Sequence, residues 1–124
     1  MKRQQITTEQ LEIVYNNAKP YLDGNINRLA AIDLAVRESG MKEASVIACF
    51  DVLRKMIDGE GYRWVTSLAG YKCWVSNLVT DYPEKFDNIM SAISQHFEYL
   101  AQFGNNSKGN REYIRQFKEK HTKM

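Results

Sequence analysis

"ESGMKEASVIACF", residues 38–50, packs a helix end, a glycine and a fresh apolar stripe into a short span. Gly40 offers the φ > 0 conformation that closes a helix. Beyond it, Val46, Cys49, Phe50, Leu53, Met56 and Ile57 recur at helical spacing. Two helices therefore meet at Gly40. The corner is either a tight bend between bundle helices or a helix-turn-helix that grips DNA. The second requires apolar residues about four positions before the glycine, just after it and about six positions on. Val36, Met41 and Val46 stand there. Lys42, Glu43, Ser45, Ile47 and Ala48 then open the second helix, where a groove-reading helix meets base edges. That face lacks the Arg, Asn and Gln of bidentate base contacts.

The flanking sequence extends the helical pattern both ways. Thr7 and Gln10 have capping-box spacing, and Ile6 and Leu11 form a staple around them. Leu11, Val14, Tyr15 and Ala18 form the stripe of a first helix, which Pro20 is expected to stop. After the "DGN" turn at 23–25, a second helix from about Asn27 to Ser39 is expected to turn Leu29, Ile32, Ala35 and Val36 inward. The third runs from about Lys42 to Asp58, closed by "GEG" at 59–61. "YRWVTS" at 62–67 reads as a loop that packs Tyr62 or Trp64 onto the helices and leads to a cap at Thr66 or Ser67. A fourth helix follows to about Thr80 through Leu68, Tyr71, Val75, Leu78 and Val79. Pro83 suits the first turn of a fifth, whose stripe is Phe86, Ile89, Met90, Ile93, Phe97 and Leu100, with Gly104 at its end. No segment reads as a sheet. The predicted fold class is all-α: a compact bundle of five or six short helices. Residues 1–104 form the helical domain, and 105–124 a basic tail or short docked helix.

The chain has 124 residues, 44% of them hydrophobic, enough for one core without disulfide staples. Cys49 and Cys73 form no CxxC pair and lie in apolar helical patterns, which predicts buried reduced thiols. No apolar run reaches the roughly 18 residues of a membrane span. The expected location is the reducing cytoplasm.

The net charge of +2 is unevenly spread. Residues 1–61 hold 8 Lys/Arg and 9 Asp/Glu, and residues 62–104 hold 3 and 4. Residues 105–124 hold 6 and 2, so the whole positive excess sits in the last segment. A segment of that kind binds phosphate or is simply a solvated end.

Catalysis finds no constellation. His96 and His121 lack a second His or Cys at metal-ligand spacing. His96 is expected to be a partly buried or surface residue of the fifth helix. There is no glycine-rich phosphate loop, no G-x-S-x-G and no H-E-x-x-H. A non-enzymatic protein with no cofactor, no metal and no small-molecule substrate is expected.

One set of motifs goes further. Gly40-Met41 with Ala44 and Ser45, Asp58-Gly59, Tyr62, Ser67 with Ala69, Asp81-Tyr82, and His96, Phe97 and Tyr99 form a pattern across residues 39–100. Over about residues 8–104 the chain resembles an all-helical module N-terminal to the nuclease in some bacterial HNH restriction-type endonucleases. The basic residue departs from the pattern, because Arg63 follows Tyr62 directly, and the zinc framework and catalytic His pair of the nuclease are missing. The resemblance implies a DNA-binding or restriction-associated regulatory protein of a phage or other mobile element. With the basic tail and the Gly40 corner as the contacting parts, the expected contacts to duplex DNA are Lys42, Ser45, Arg63, Trp64, Lys72, Arg111, Arg115 and Lys118. The rival expectation is a protein–protein module, an inhibitor or accessory factor docking on a larger enzyme. Seven tyrosines and the near-neutral charge of residues 1–104 favour it.

Overall fold

The computed structural model describes residues 7–62, 68–104 and 108–122. The described residues are all-α, with six α-helices, one short 3-10 turn and no strand. The helices are α1 (Thr8–Leu22), α2 (Arg28–Ser39), α3 (Glu43–Asp58), α4 (Leu68–Asp81), α5 (Phe86–Ala101) and α6 (Lys108–Thr122). The 3-10 turn, Pro83–Lys85, leads into α5. Residues up to Arg54 form one compact unit and residues from Lys55 onward a second, so the boundary falls inside α3. No helix among the described residues is long and apolar enough to cross a membrane.

In the first unit, the Thr7 hydroxyl accepts from the Gln10 amide and the Gln10 side chain accepts from the Thr7 amide. This closes the capping box and satisfies two of the donors that every helix start leaves open. Gln10 then reaches across to donate to the Ser39 carbonyl at the end of α2, at 3.1 Å. Leu11, Val14, Tyr15 and Ala18 are buried as their spacing predicts.

Two expectations need correction here. Pro20 lies inside α1, which continues to Leu22. Proline lacks a donor but keeps its carbonyl, and the amides of Asp23 and Asn25 donate to Lys19 and Pro20, so the last turn holds. Leu29 does not face inward: it is 77% exposed. The buried face of α2 is Ala31, Ile32 and Ala35. At about 100° per residue, Ala31 and Ala35 lie about 120–160° around the helix from Leu29. Ile32 and Ala35 are buried as expected, and Ala31 takes the inner position assigned to Leu29. Val36 is half-buried.

The corner forms at the expected glycine. Gly40 has φ +73°, and its amide donates to the Val36 carbonyl. Met41 and Val46 are buried beyond it. A Cβ on Gly40 would meet nothing within 4 Å, so the requirement for glycine is conformational rather than steric. Along α3, Cys49, Phe50, Val52 and Leu53 are buried, and burial pushes the Cys49 thiol up to about 12. Tyr21 stacks on Phe50 with ring centroids 5.9 Å apart.

The second unit is organised by α5. Ile89, Met90, Ala92, Ile93, His96, Phe97 and Leu100 are all buried; Phe86, expected in this stripe, is half-buried. On α4, Trp74, Val75, Leu78 and Val79 are buried. Trp74 is among the largest fully enclosed side chains of the chain, and no stripe assigned from the sequence included it. The expected cap at Thr66 or Ser67 lies outside the described residues, as do the side chains of Leu68 and Tyr71. The last segment is a helix, with Ile114 buried and Tyr113 and Phe117 half-buried on one side of it.

Side chains of α5 also hold the loop that follows α3. Asn88 donates to the Ile57 carbonyl, and Gln95 donates to Gly59 while accepting from the Gly61 amide. A Cβ on Gly61 would stand 2.9 Å from the Gln95 Cβ, so glycine is needed for this approach. Tyr62 is buried, as expected for a plug. Its ring stacks on His96 at 4.1 Å, and its carbonyl meets His96 Nδ1. A carbonyl only accepts, so Nδ1 carries the proton. His96 is thus fully buried rather than partly exposed. Desolvation lowers its pKa below the usual 6.5, against an opposing pull from the Tyr62 carbonyl.

Two outcomes follow. Gly40→Ala is expected to destabilise the fold by about 1–2 kcal/mol, the cost of a left-handed L-residue, whereas Leu29→Ser should change stability by less than about 0.5 kcal/mol; urea titration measures both. Well above pH 6.5, the ordinary histidine value, His96 is neutral in both states. Below that value the unfolded imidazole takes a proton that the folded one refuses. Stability should therefore fall as pH drops from 6.5 toward the folded pKa, by at most about 1.4 kcal/mol per pH unit. The His96→Phe variant should lose this component of the slope.

Candidate nucleic-acid interface

Folding of the last segment into α6 arranges its charge. At about 100° per residue, Lys108, Arg111, Arg115 and Lys118 fall within an arc of about 80° and extend along about 15 Å of helix. All four are exposed. The inner side of α6 carries Tyr113, Ile114 and Phe117, so packing of those three aims the cationic stripe. Between α5 and α6 lies an open groove of about 230 Å³. Its α5 side is Met90, Ser94 and Phe97, and its α6 side is Arg111, Ile114, Arg115 and Lys118.

The cations are not equivalent. Arg111 Nη2 donates to the Phe97 carbonyl at 3.0 Å, and its guanidinium carbon lies 5.1 Å from the Phe97 ring centroid. A cation there also suits the negative end of the α5 dipole. Arg115 is engaged by two carboxylates of its own helix. Its Nε and Nη2 donate to the two oxygens of Glu112 at 3.1 and 2.6 Å, and Nη1 donates to Glu119 at 3.3 Å. The Arg115 hydrogen bonds, with one from Gln116, pull the Glu112 carboxyl down to about 2. The same pair raises the Arg115 pKa further. The helix thus carries its own counter-charge beside the stripe.

The remaining expected contacts divide. Lys72, on α4, is exposed and sets its ammonium 5.9 Å from the Tyr113 ring centroid, which adds it to the surroundings of α6. Lys42 and Ser45 belong to the first unit, at the Gly40 corner. The Lys42 carbonyl accepts from the Ser45 and Val46 amides and so starts α3, one residue later than expected; the Lys42 side chain is exposed and Ser45 is half-buried. Arg63 and Trp64 lie outside the described residues. After the glycine, over residues 42–51, where a reading helix would begin, the exposed residues are Lys42, Glu43, Ala44, Ile47 and Asp51. One cation against two acids makes a poor phosphate or base-edge surface.

The sequence reading missed the groove, Lys108 and Lys120 as exposed α6 cations, and the restraint on Arg115. The i, i+4, i+7 spacing of Arg111, Arg115 and Lys118 was the available signal, once the segment is taken as a helix. Among the described residues no group of three or more His, Cys, Asp or Glu could hold a metal ion. No family model, curated protein or solved structure matches the chain.

If Arg115 holds Glu112 as described, Arg115→Gln should return the Glu112 carboxyl from about 2 toward its usual 4.5. A carboxyl-detected NMR titration reads this directly. A Glu112 that still titrates near 2 in the variant would remove Arg115 as the cause.

Proposed function

We propose that the protein is a non-enzymatic nucleic-acid-binding module that engages the phosphate backbone through α6. One observation carries this reading: four cations share one exposed face of a helix that is anchored on its other side by Tyr113 and Phe117 and along the flank of the stripe by the buried Ile114. Binding is electrostatic positioning. Lys108, Arg111 and Lys118 meet phosphates, with Arg115 joining as its bond to Glu119 yields. Sequence is read weakly or not at all, since the Gly40 corner presents no base-reading side chains. This narrows the expected duplex contacts to the second unit and leaves Lys42 and Ser45 out of them. Kinship with the helical modules of HNH restriction-type endonucleases, and a restriction-associated or mobile-element setting, belong to the same proposal.

A second reading is favoured at the corner itself. There Ala44 and Ile47 are exposed at helical spacing on α3, an apolar pair that suits a protein-docking face better than a phosphate-binding one. A protein partner retained in high salt and lost in Ile47→Glu would support it.

The phosphate reading predicts a salt dependence. With about four phosphates neutralised, log K should fall against log salt with a slope of about −3 to −4. Deleting residues 105–124 should abolish binding. Glu119→Gln should strengthen binding by freeing Arg115, and steepen the slope. Undetectable affinity at low salt for any nucleic acid would end this reading.

A further inference from the structure

The α5–α6 groove has a floor and a rim of different chemistry. Its floor is Met90, Phe97 and Ile114, each buried but for a few per cent of its surface. Its rim is the cationic stripe, with Arg111, Arg115 and Lys118 along one edge and the small Ser94 on the other. At about 230 Å³ it is smaller than the roughly 300–1,000 Å³ of sites that enclose a drug-sized ligand. An apolar floor of that size takes one flat ring, and a rim of that charge takes the anions on either side of it. A nucleotide within a single strand has this composition: a π-face sequence-tolerant in stacking, flanked by phosphates. A duplex does not present it, because its bases are stacked and paired inside the helix.

We propose that the groove receives one unstacked nucleobase of a single strand, with the adjoining phosphates on Arg115 and Lys118, so that the protein prefers single-stranded to duplex nucleic acid. This rests on the phosphate-binding reading of α6 and deepens it. Arg111 closes the inner end of the groove. Its guanidinium is already fixed by the Phe97 carbonyl and ring, and it offers a planar cation against the edge of the base. At Arg115 the bond to Glu119 is the longest of the three, 3.3 Å against 3.1 and 2.6 Å. A phosphate therefore displaces Glu119 first and leaves the Glu112 pair in place. The base supplies affinity beyond the electrostatic contribution, and that excess survives salt that screens the phosphates.

Fluorescence anisotropy of the full chain tests this with four labelled or competing probes. They are a mixed-sequence strand of about 12 nucleotides, its duplex, an abasic strand of equal charge, and polyglutamate as competitor. The single strand should bind at least about tenfold more tightly than the duplex or the abasic strand, the worth of one stacked base. Ser94→Phe, an exposed helix position, should fill the groove and collapse that ratio, with circular dichroism confirming unchanged helix content. Three results would overturn the proposal: equal affinity for strand and duplex, equal affinity for the abasic strand, or a ratio that persists in Ser94→Phe. Displacement by polyglutamate at equal charge would also overturn it and point to an acidic protein segment instead. If no nucleic acid binds at all, the phosphate reading fails with it, a result distinct from binding without preference.

Discussion

Burial of one side of α5 is the constraint on which the second unit depends. Ile89, Ile93, His96, Phe97 and Leu100 are held out of water on that side, and hydrophobic transfer of such side chains is the dominant favourable term in folding. Once that face is fixed, the rest of the helix surface has fixed tasks. Asn88 and Gln95 meet the backbone of the loop after α3. Met90, Ser94 and Phe97 form one wall of the groove. The Phe97 carbonyl receives Arg111. The loop contacts, the groove and the anchoring of Arg111 all follow from the rotation of this one helix, while α4 also packs against α6. A quarter-turn error in its register would lose all three.

Much of the architecture is legible in the residues because it is local. A Thr-x-x-Gln cap, a glycine with positive φ and a long apolar stripe each act over a few residues, and Thr7, Gly40 and α5 behave as their sequence implies. The misreadings arise where tertiary packing decides. Leu29 looks like a core residue, yet Ala31 joins the expected Ile32 and Ala35 on the buried side of α2 and Leu29 is left outside. Trp74 stands three residues after Tyr71 and four before Leu78, at the edge of the α4 stripe, and packing widens that stripe to enclose it. His96 reads as a partly buried or surface residue, and its full enclosure involves Tyr62 from a distant loop, whose ring stacks on it.

The candidate site was half visible for the same reason. The concentration of positive charge after residue 104 is a property of composition, so Arg111, Arg115 and Lys118 could be named. Their alignment needs the segment to be helical, and the groove needs α5 beside it. The corner at Gly40 shows the reverse case. Its turn geometry is as expected, but geometry alone does not make a reading face: Glu43 and Asp51 are exposed beside it and the apolar Ile47 points outward. A helix-turn-helix-like bend and a DNA-reading one differ in surface chemistry, not in backbone.

Glu112 and Glu119 give α6 a resident rival for any incoming anion. A lone phosphate must outcompete carboxylates tethered a few ångströms away and gains little by doing so. A polymer arrives with many phosphates at high local concentration, and each contact made elsewhere lowers the cost of the next. Under the proposed reading, the internal ion pairs work as a threshold. They leave free nucleotides and dilute inorganic phosphate unbound in a crowded solution and reserve the helix for long chains.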